Sequence, residues 1–173
     1  SPNVNFPELE KEILEFWKSQ KIFEKSLEKD APLGKWTFLD GPPFITGLPH
    51  YGSLLSSLPK DLFPRYKTMQ GYKVRRVWGW DGHGLPVENK VENELGVKSK
   101  KEIVNKIGVK KFIEECKYYV DHVSSEWGWY IDHIGRWADY ENAYKTWDIP
   151  YMESVMWVFK QMYDRGYIYK GLR

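Results

Sequence analysis

Trp36-Thr37-Phe38-Leu39-Asp40-Gly41-Pro42-Pro43-Phe44-Ile45-Thr46-Gly47-Leu48-Pro49-His50-Tyr51-Gly52-Ser53 is the stretch on which the fold turns. Trp36 to Leu39 is short, apolar and β-prone, and Asp40-Gly41-Pro42-Pro43 then forces the backbone to turn. The apolar run from Leu54-Leu55 predicts a helix, with Pro49 in its first turn, where a missing N–H costs nothing. The order is strand, Gly/Pro loop, and a helix N-terminus with a histidine at its mouth. Such a terminus carries unpaired N–H groups and a partial positive charge, so it can receive an anion. The same order also makes an ordinary strand-to-helix turn.

Upstream, Leu9, Ile13, Phe16 and Trp17 form one apolar stripe of a helix predicted over 7–28, started by Pro7. Residues 30–34 connect it to the first strand. Downstream, Pro59 lies deep in the helical run, which predicts a kink or a restart there. Gly71 is a C-cap candidate, and Lys73 to Trp80 reads as a second strand. Strand, helix and strand make a βαβ unit, hence a parallel sheet whose ligands bind beyond the carboxyl ends of its strands. The loops at 40–52 and 79–86 then fall at the same end. Across that cleft from His50, Asp81 is suited to hold an ammonium or ribose group, although Asp and Gly also favour plain turns. His83 and Glu88 lack a third ligand at metal-binding spacing.

The remainder is mostly helical. A helix over 89–95 ends at Gly96. Ser99 and Glu102 make a capping box for the next helix, and Ile107-Gly108 ends that one. Val109 to Ser125 predicts a helix burying Phe112, Ile113, Cys116, Tyr119, Val120 and Val123. Lys98, Lys100 and Lys101 read as a solvated face. Residues 126–147 are rich in aromatics, which pack more often than they stack on a base. Asp148 caps a helix with Met152, Val155, Phe159 and Met162 on one stripe. Tyr167 to Tyr169 reads as the start of a third strand.

Hydrophobic residues make up 42% of the 173, enough for a folded core, and a net charge of +2 does not argue for nucleic acid. Cys116 is the one cysteine, so no internal disulfide forms, which suits a reducing compartment. No stretch is apolar enough for a membrane span, and no signal-peptide core opens the chain. The expectation is a soluble, cytoplasmic protein.

Asp40-Gly41-Pro42-Pro43, Gly47-Leu48-Pro49-His50-Tyr51-Gly52 and Trp80-Asp81-Gly82-His83-Gly84-Leu85-Pro86-Val87-Glu88 resemble the amino-terminal half of the catalytic domain of class I aminoacyl-tRNA synthetases, the isoleucyl branch in particular. Gly135-Arg136-Trp137 and Tyr151-Met152-Glu153-Ser154 extend the resemblance over nearly the whole chain. It implies an α/β fold: a partial doubly wound, Rossmann-like parallel sheet flanked by helices, with a largely helical carboxy-terminal portion. Residues 1–34 would be an amino-terminal helical extension, and 35–173 the first half of the nucleotide-binding domain.

The implied reaction joins ATP, with its Mg2+, and isoleucine into isoleucyl-adenylate for transfer to tRNA(Ile), with the remainder of the catalytic domain as partner. His50 and Gly52 match the first and third positions of the family's "HIGH" motif. The resemblance therefore implies ATP binding by Thr46, Pro49, His50, Gly52 and Ser53, with His50 and Ser53 catalytic. Gly41, Pro42, Pro43, Asp81 and His83 would hold the amino acid, Asp81 through its ammonium group. No protein metal site is implied.

The departures are specific. Ser53 stands where the motif has its second His. Ser56, Ser57, Leu58 and Pro59 replace a run of small residues, Ile45 replaces Ala, and Gly82 replaces Cys or Thr. They motivate an alternative, a catalytically silent half that serves as a binding module or engineered scaffold. A generic nucleotide binder is weaker, for want of a Gly-x-Gly-x-x-Gly loop.

Overall fold

The computed structural model describes residues 4–172, which fall into two compact units. The first comprises 1–41, 47–78 and 122–143; the second comprises 42–46, 79–121 and 144–173.

In the first unit the helix expected over 7–28 is two helices, α1 (Phe6–Ser19) and α2 (Ile22–Glu28). Lys21 breaks it by taking a left-handed conformation, φ 50°. Trp17 and Phe23, on either side of the break, both reach the Trp137 ring, with centroids 5.2 and 6.4 Å away. The break thus turns two aromatics onto one partner.

The expected first strand, Trp36 to Leu39, is an extended run without a continuous ladder. It bridges its neighbour at Lys35 to Lys73 in the first unit, and the chain bridges again at Phe44 to Asp81 in the second. Pro42 and Pro43 carry no N–H, which denies the run two ladder donors. The second strand is regular only over β1 (Val77–Trp80).

Helix α3 (Tyr51–Met69) excludes the restart expected at Pro59. It runs through both Pro59 and Pro64 without ending. Its buried side carries little of its apolar surface. Ser57, Pro64 and Thr68 are buried, whereas Leu55, Leu58, Leu62, Phe63, Tyr66 and Met69 are each at least half exposed. The inward stripe, Ser57, Asp61 and Arg65 at four-residue spacing, is polar because it binds the Gly135-Arg136-Trp137 segment. Arg65 Nη2 donates to the Gly135 carbonyl at 2.8 Å, and Asp61 Oδ1 accepts the Trp137 N–H at 2.9 Å. These lateral bonds hold the helix in spite of two missing backbone donors.

Arg76 extends the same polar seam. Its guanidinium donates to Ser26 Oγ, to Thr68 Oγ1 and to the Pro64 carbonyl, and lies over Phe23 and Trp137. Burial pulls its pKa down to about 10, so it stays charged at neutral pH. Val74, Trp78, Val123, Trp127, Tyr130 and Ile131 form the apolar filling of this unit.

The second unit holds α4 (Leu85–Leu95), closed by Gly96 at φ 67°. Next is α5 (Lys100–Glu102), capped by Ser99 and running into a π-helical turn over Ile103–Ile107. Of the predicted capping box, Ser99 Oγ accepts the Glu102 N–H, but Glu102 reaches back to Lys98 N–H rather than to that of Ser99. Gly108, at φ 86°, stops the turn. Val91, Val97, Ile103 and Phe112 are the core of this unit, each side chain contributing roughly 1.5–3 kcal/mol by burial.

Three further elements run through α6 (Val109–Glu126), α7 (Gly128–His133) and β2 (Asp139–Lys145). Strand β2 pairs with β1 in parallel; Asp139 N–H bonds to Arg76 O, and Thr146 N–H to Trp80 O, both at 3.1 Å. It was not foreseen, because Asp139-Tyr140-Glu141-Asn142 lacks the apolar run that marks a strand. Helix α8 (Ile149–Asp164) forms as predicted, but none of its residues is buried; Val155, Phe159 and Met162 of the expected stripe are 40–54% exposed. The strand expected at Tyr167–Tyr169 is irregular chain. Among the described residues, no helix is long and apolar enough to cross a membrane.

Candidate functional site

In the first unit His50 is the N-cap of α3, with extended backbone at φ −136° and ψ 178°. Its Nδ1 accepts the Gly52 N–H at 3.0 Å, and its own N–H donates to Ser53 Oγ at 3.3 Å. Three of the predicted nucleotide residues thus form one reciprocal cap. Because Nδ1 is an acceptor, the proton of the neutral ring is on Nε2, which remains a donor. Ser53, standing in place of a second histidine, closes the cap. Pro49 is not in the first helical turn as expected: α3 begins at Tyr51, and Pro49 precedes the cap.

The loop before this cap is held from two sides. Trp127 Nε1 donates to the Gly47 carbonyl at 3.1 Å in the first unit. Tyr119 Oη donates to the Thr46 carbonyl at 3.1 Å in the second. Both aromatics read from sequence as packing residues, and nothing local marks them as loop anchors.

At the other end of the loop, still in the first unit, the Asp40 carboxylate meets Arg136 and Lys60. Lys60 Nζ lies 2.8 Å from Asp40 Oδ1 and donates to the Gly41 carbonyl at 2.6 Å. Arg136 Nη2 pairs with Asp40 Oδ2, and its Nη1 donates to Ser57 Oγ at 3.4 Å. Burial pulls the Arg136 pKa down, while Asp40 pushes it back up.

In the second unit Pro43 and Asp81 are brought together by backbone. Asp81 N–H donates to Pro43 O at 3.0 Å, and Asp81 O accepts the Ile45 N–H at 2.8 Å. Its carboxylate makes no hydrogen bond or ion pair among the described residues. Gly82 N–H donates to Thr146 Oγ1 at 3.1 Å, and His83 Nε2 donates to the Thr146 carbonyl at 2.7 Å. Thr146 is buried and fixes the turn after Asp81; sequence reading missed it. An apolar cavity of about 600 Å³ borders Gly82 and His83, walled by Val87, Phe112, Val120 and Trp147. No three His, Cys, Asp or Glu among the described residues cluster in a way that could hold a metal ion.

The sequence model of the family described as tRNA synthetases class I (I, L, M and V) matches residues 12–173. The chain is 48% identical over 177 aligned positions to an isoleucine–tRNA ligase of Bifidobacterium longum, covering 100% of this chain and 16% of that protein. It is likewise 48% identical to isoleucine–tRNA ligase 2 of Pseudomonas fluorescens, over 97% of this chain and 16% of that protein. In the Wolbachia isoleucine–tRNA ligase the identity is 50%, over 98% of this chain and 15% of that one. The chain therefore spans about a sixth of these relatives' length. Among solved structures, the LeuRS of Agrobacterium radiobacter K84, in ternary complex with tRNA and LeuAMS, superposes with a TM-score of 0.61 at 22% identity. The superposition covers 92% of this chain and 18% of that one, and speaks for the fold alone.

Proposed function

This chain belongs to the class I tRNA synthetases (I, L, M and V), and we propose that it carries the isoleucine-activating part of an isoleucyl-tRNA synthetase. The observation that supports this most is the reciprocal cap of His50, Gly52 and Ser53, which holds an imidazole N–H donor at the start of a helix. In this reading Nε2–H of His50 and the helix start receive ATP phosphate, with Thr46 and Pro49 shaping the loop before them. The Asp81 carboxylate, on a turn whose backbone is fixed by Pro43 and Ile45, takes the isoleucine ammonium. Gly41, Pro42, Pro43 and His83 shape the amino-acid side.

The isoleucine carboxylate attacks the α-phosphorus of ATP, the bond to the bridging oxygen breaks, and pyrophosphate leaves. Such a displacement needs orientation and charge stabilisation rather than a covalent enzyme intermediate. Mg2+, bound with ATP as part of the substrate, would supply charge to offset that of the leaving pyrophosphate. Transfer to tRNA(Ile), in the cytoplasm, belongs to the longer protein together with the remainder of the catalytic domain.

Isoleucine-dependent exchange of pyrophosphate into ATP by the longer polypeptide tests the reading. Exchange that falls at least tenfold in His50→Ala supports it. A folded, full-length protein without exchange would favour the second reading, a silent binding half, for which the engagement of Ser53 in the cap speaks. In that case Ser53→His restores nothing.

A further inference from the structure

We propose that Arg136 and Lys60 are positioning residues for the amino-acid loop. By clamping Asp40 they fix the Gly41 peptide, from which Pro42-Pro43 departs. The inference rests on the functional reading above and names residues outside it.

The Arg136 side chain is only 4% exposed, that of Asp40 12% and that of Lys60 25%. A buried charged group loses hydration, and an apolar pair of equal volume stabilises a fold as well or better. What a charged cluster adds is direction. Arg136 spans Asp40 and Ser57 and lies over the Trp78 ring at 4.4 Å, so its plane is set from three sides. The backbone on either side of it is tied to α3 through Gly135 O and Trp137 N–H.

Lys60 completes the device. One ammonium group contacts both the Asp40 carboxylate and the next residue's carbonyl. The carbonyl it holds is that of Gly41, and the following two residues are prolines with φ locked near −65°. Fixing one peptide plane ahead of two locked residues sets the course of the loop. Lys60 and Arg136 come from distant parts of the chain and converge on the Asp40 carboxylate, Lys60 also reaching the Gly41 carbonyl, whereas the cap of His50 is built from its own neighbours.

The test is titration of the chain with a non-hydrolysable isoleucyl-adenylate analogue and, separately, with ATP. Lys60→Met and Arg136→Lys are expected to weaken the analogue about tenfold while ATP binding changes less than about twofold. Lys60→Arg, which keeps a cation in reach, is expected to restore the analogue. Lys60 is part-exposed, so Lys60→Met keeps the fold, as circular dichroism can verify, should Arg136→Lys not. An unaltered chain that binds no analogue overturns the underlying functional reading. A chain that binds it, with Lys60→Met binding equally well or losing ATP and analogue alike, overturns the clamp.

Discussion

Gly52 sits directly against the His50 imidazole: a Cβ on it would meet Cε1 at 2.8 Å and Nδ1 at 3.0 Å. Any side chain at 52 therefore turns the ring out of its cap. In Gly52→Ala the lost cap costs about 1 kcal/mol, but alanine's helix propensity returns about as much. The expected outcome is a nearly unchanged denaturant midpoint with ATP binding weakened roughly tenfold, because Nε2–H is no longer aimed. Loss of stability with ATP binding intact would contradict it.

Gly82 is a second position where space decides. A Cβ there meets the Trp147 ring at 2.6 Å and Val120 at 3.4 Å. The Cys or Thr that the family resemblance leads one to expect cannot fit while Trp147 is buried beneath it. Gly82→Thr should lower stability by about 1–3 kcal/mol, the range for overpacking. Adding Trp147→Met should recover most of it, as a two-variant denaturation cycle would register.

Asp81 spends both backbone groups on Pro43 and Ile45, while its carboxylate makes no hydrogen bond or ion pair among the described residues. Asp81→Asn leaves those bonds in place and removes only the charge. Isoleucine affinity should fall about 10- to 100-fold, the span of a charge-assisted hydrogen bond, with ATP affinity and thermal midpoint unaltered. Equal isoleucine binding would take the ammonium contact away from Asp81.

Cys116 gives a pH dependence with a definite sign. Burial first, then Glu88, Glu92 and Glu115, push its thiol from 9.0 up to about 11. Between these values the unfolded thiol has lost its proton and the folded one keeps it. The neutral thiol's contribution is thus fully present below pH 9.0 and is lost as pH rises through about 11. Across that window the chain should lose stability relative to Cys116→Val, which has no thiol to titrate. Alkylation of the native chain at neutral pH should be far slower than in denaturant.

What was legible in the sequence is what local chemistry determines. Gly96, the Ser99 cap and Gly108 punctuate α4 to α6 within a few residues of where they act; the cap of His50, Gly52 and Ser53, though local, was not foreseen, because Pro49 reads as part of the helix. The anchors were not legible. Arg136 is 96 residues from Asp40, Tyr119 is 73 from Thr46, and Thr146 is 64 from Gly82. A side chain that works over such a distance leaves no local pattern. The inward face of α3 was not legible for a related reason: the partners that make its polar side the inward one, Gly135 to Trp137, lie far along the chain. Polar β2 hid in the same way.

The most direct test of the central claim is isothermal titration of this chain with a non-hydrolysable isoleucyl-adenylate analogue, beside the leucyl equivalent. The account predicts saturable binding of the isoleucyl analogue, on the order of micromolar, that is weaker for the leucyl one and abolished together by His50→Ala and Asp81→Asn. A folded chain that binds neither analogue would contradict it.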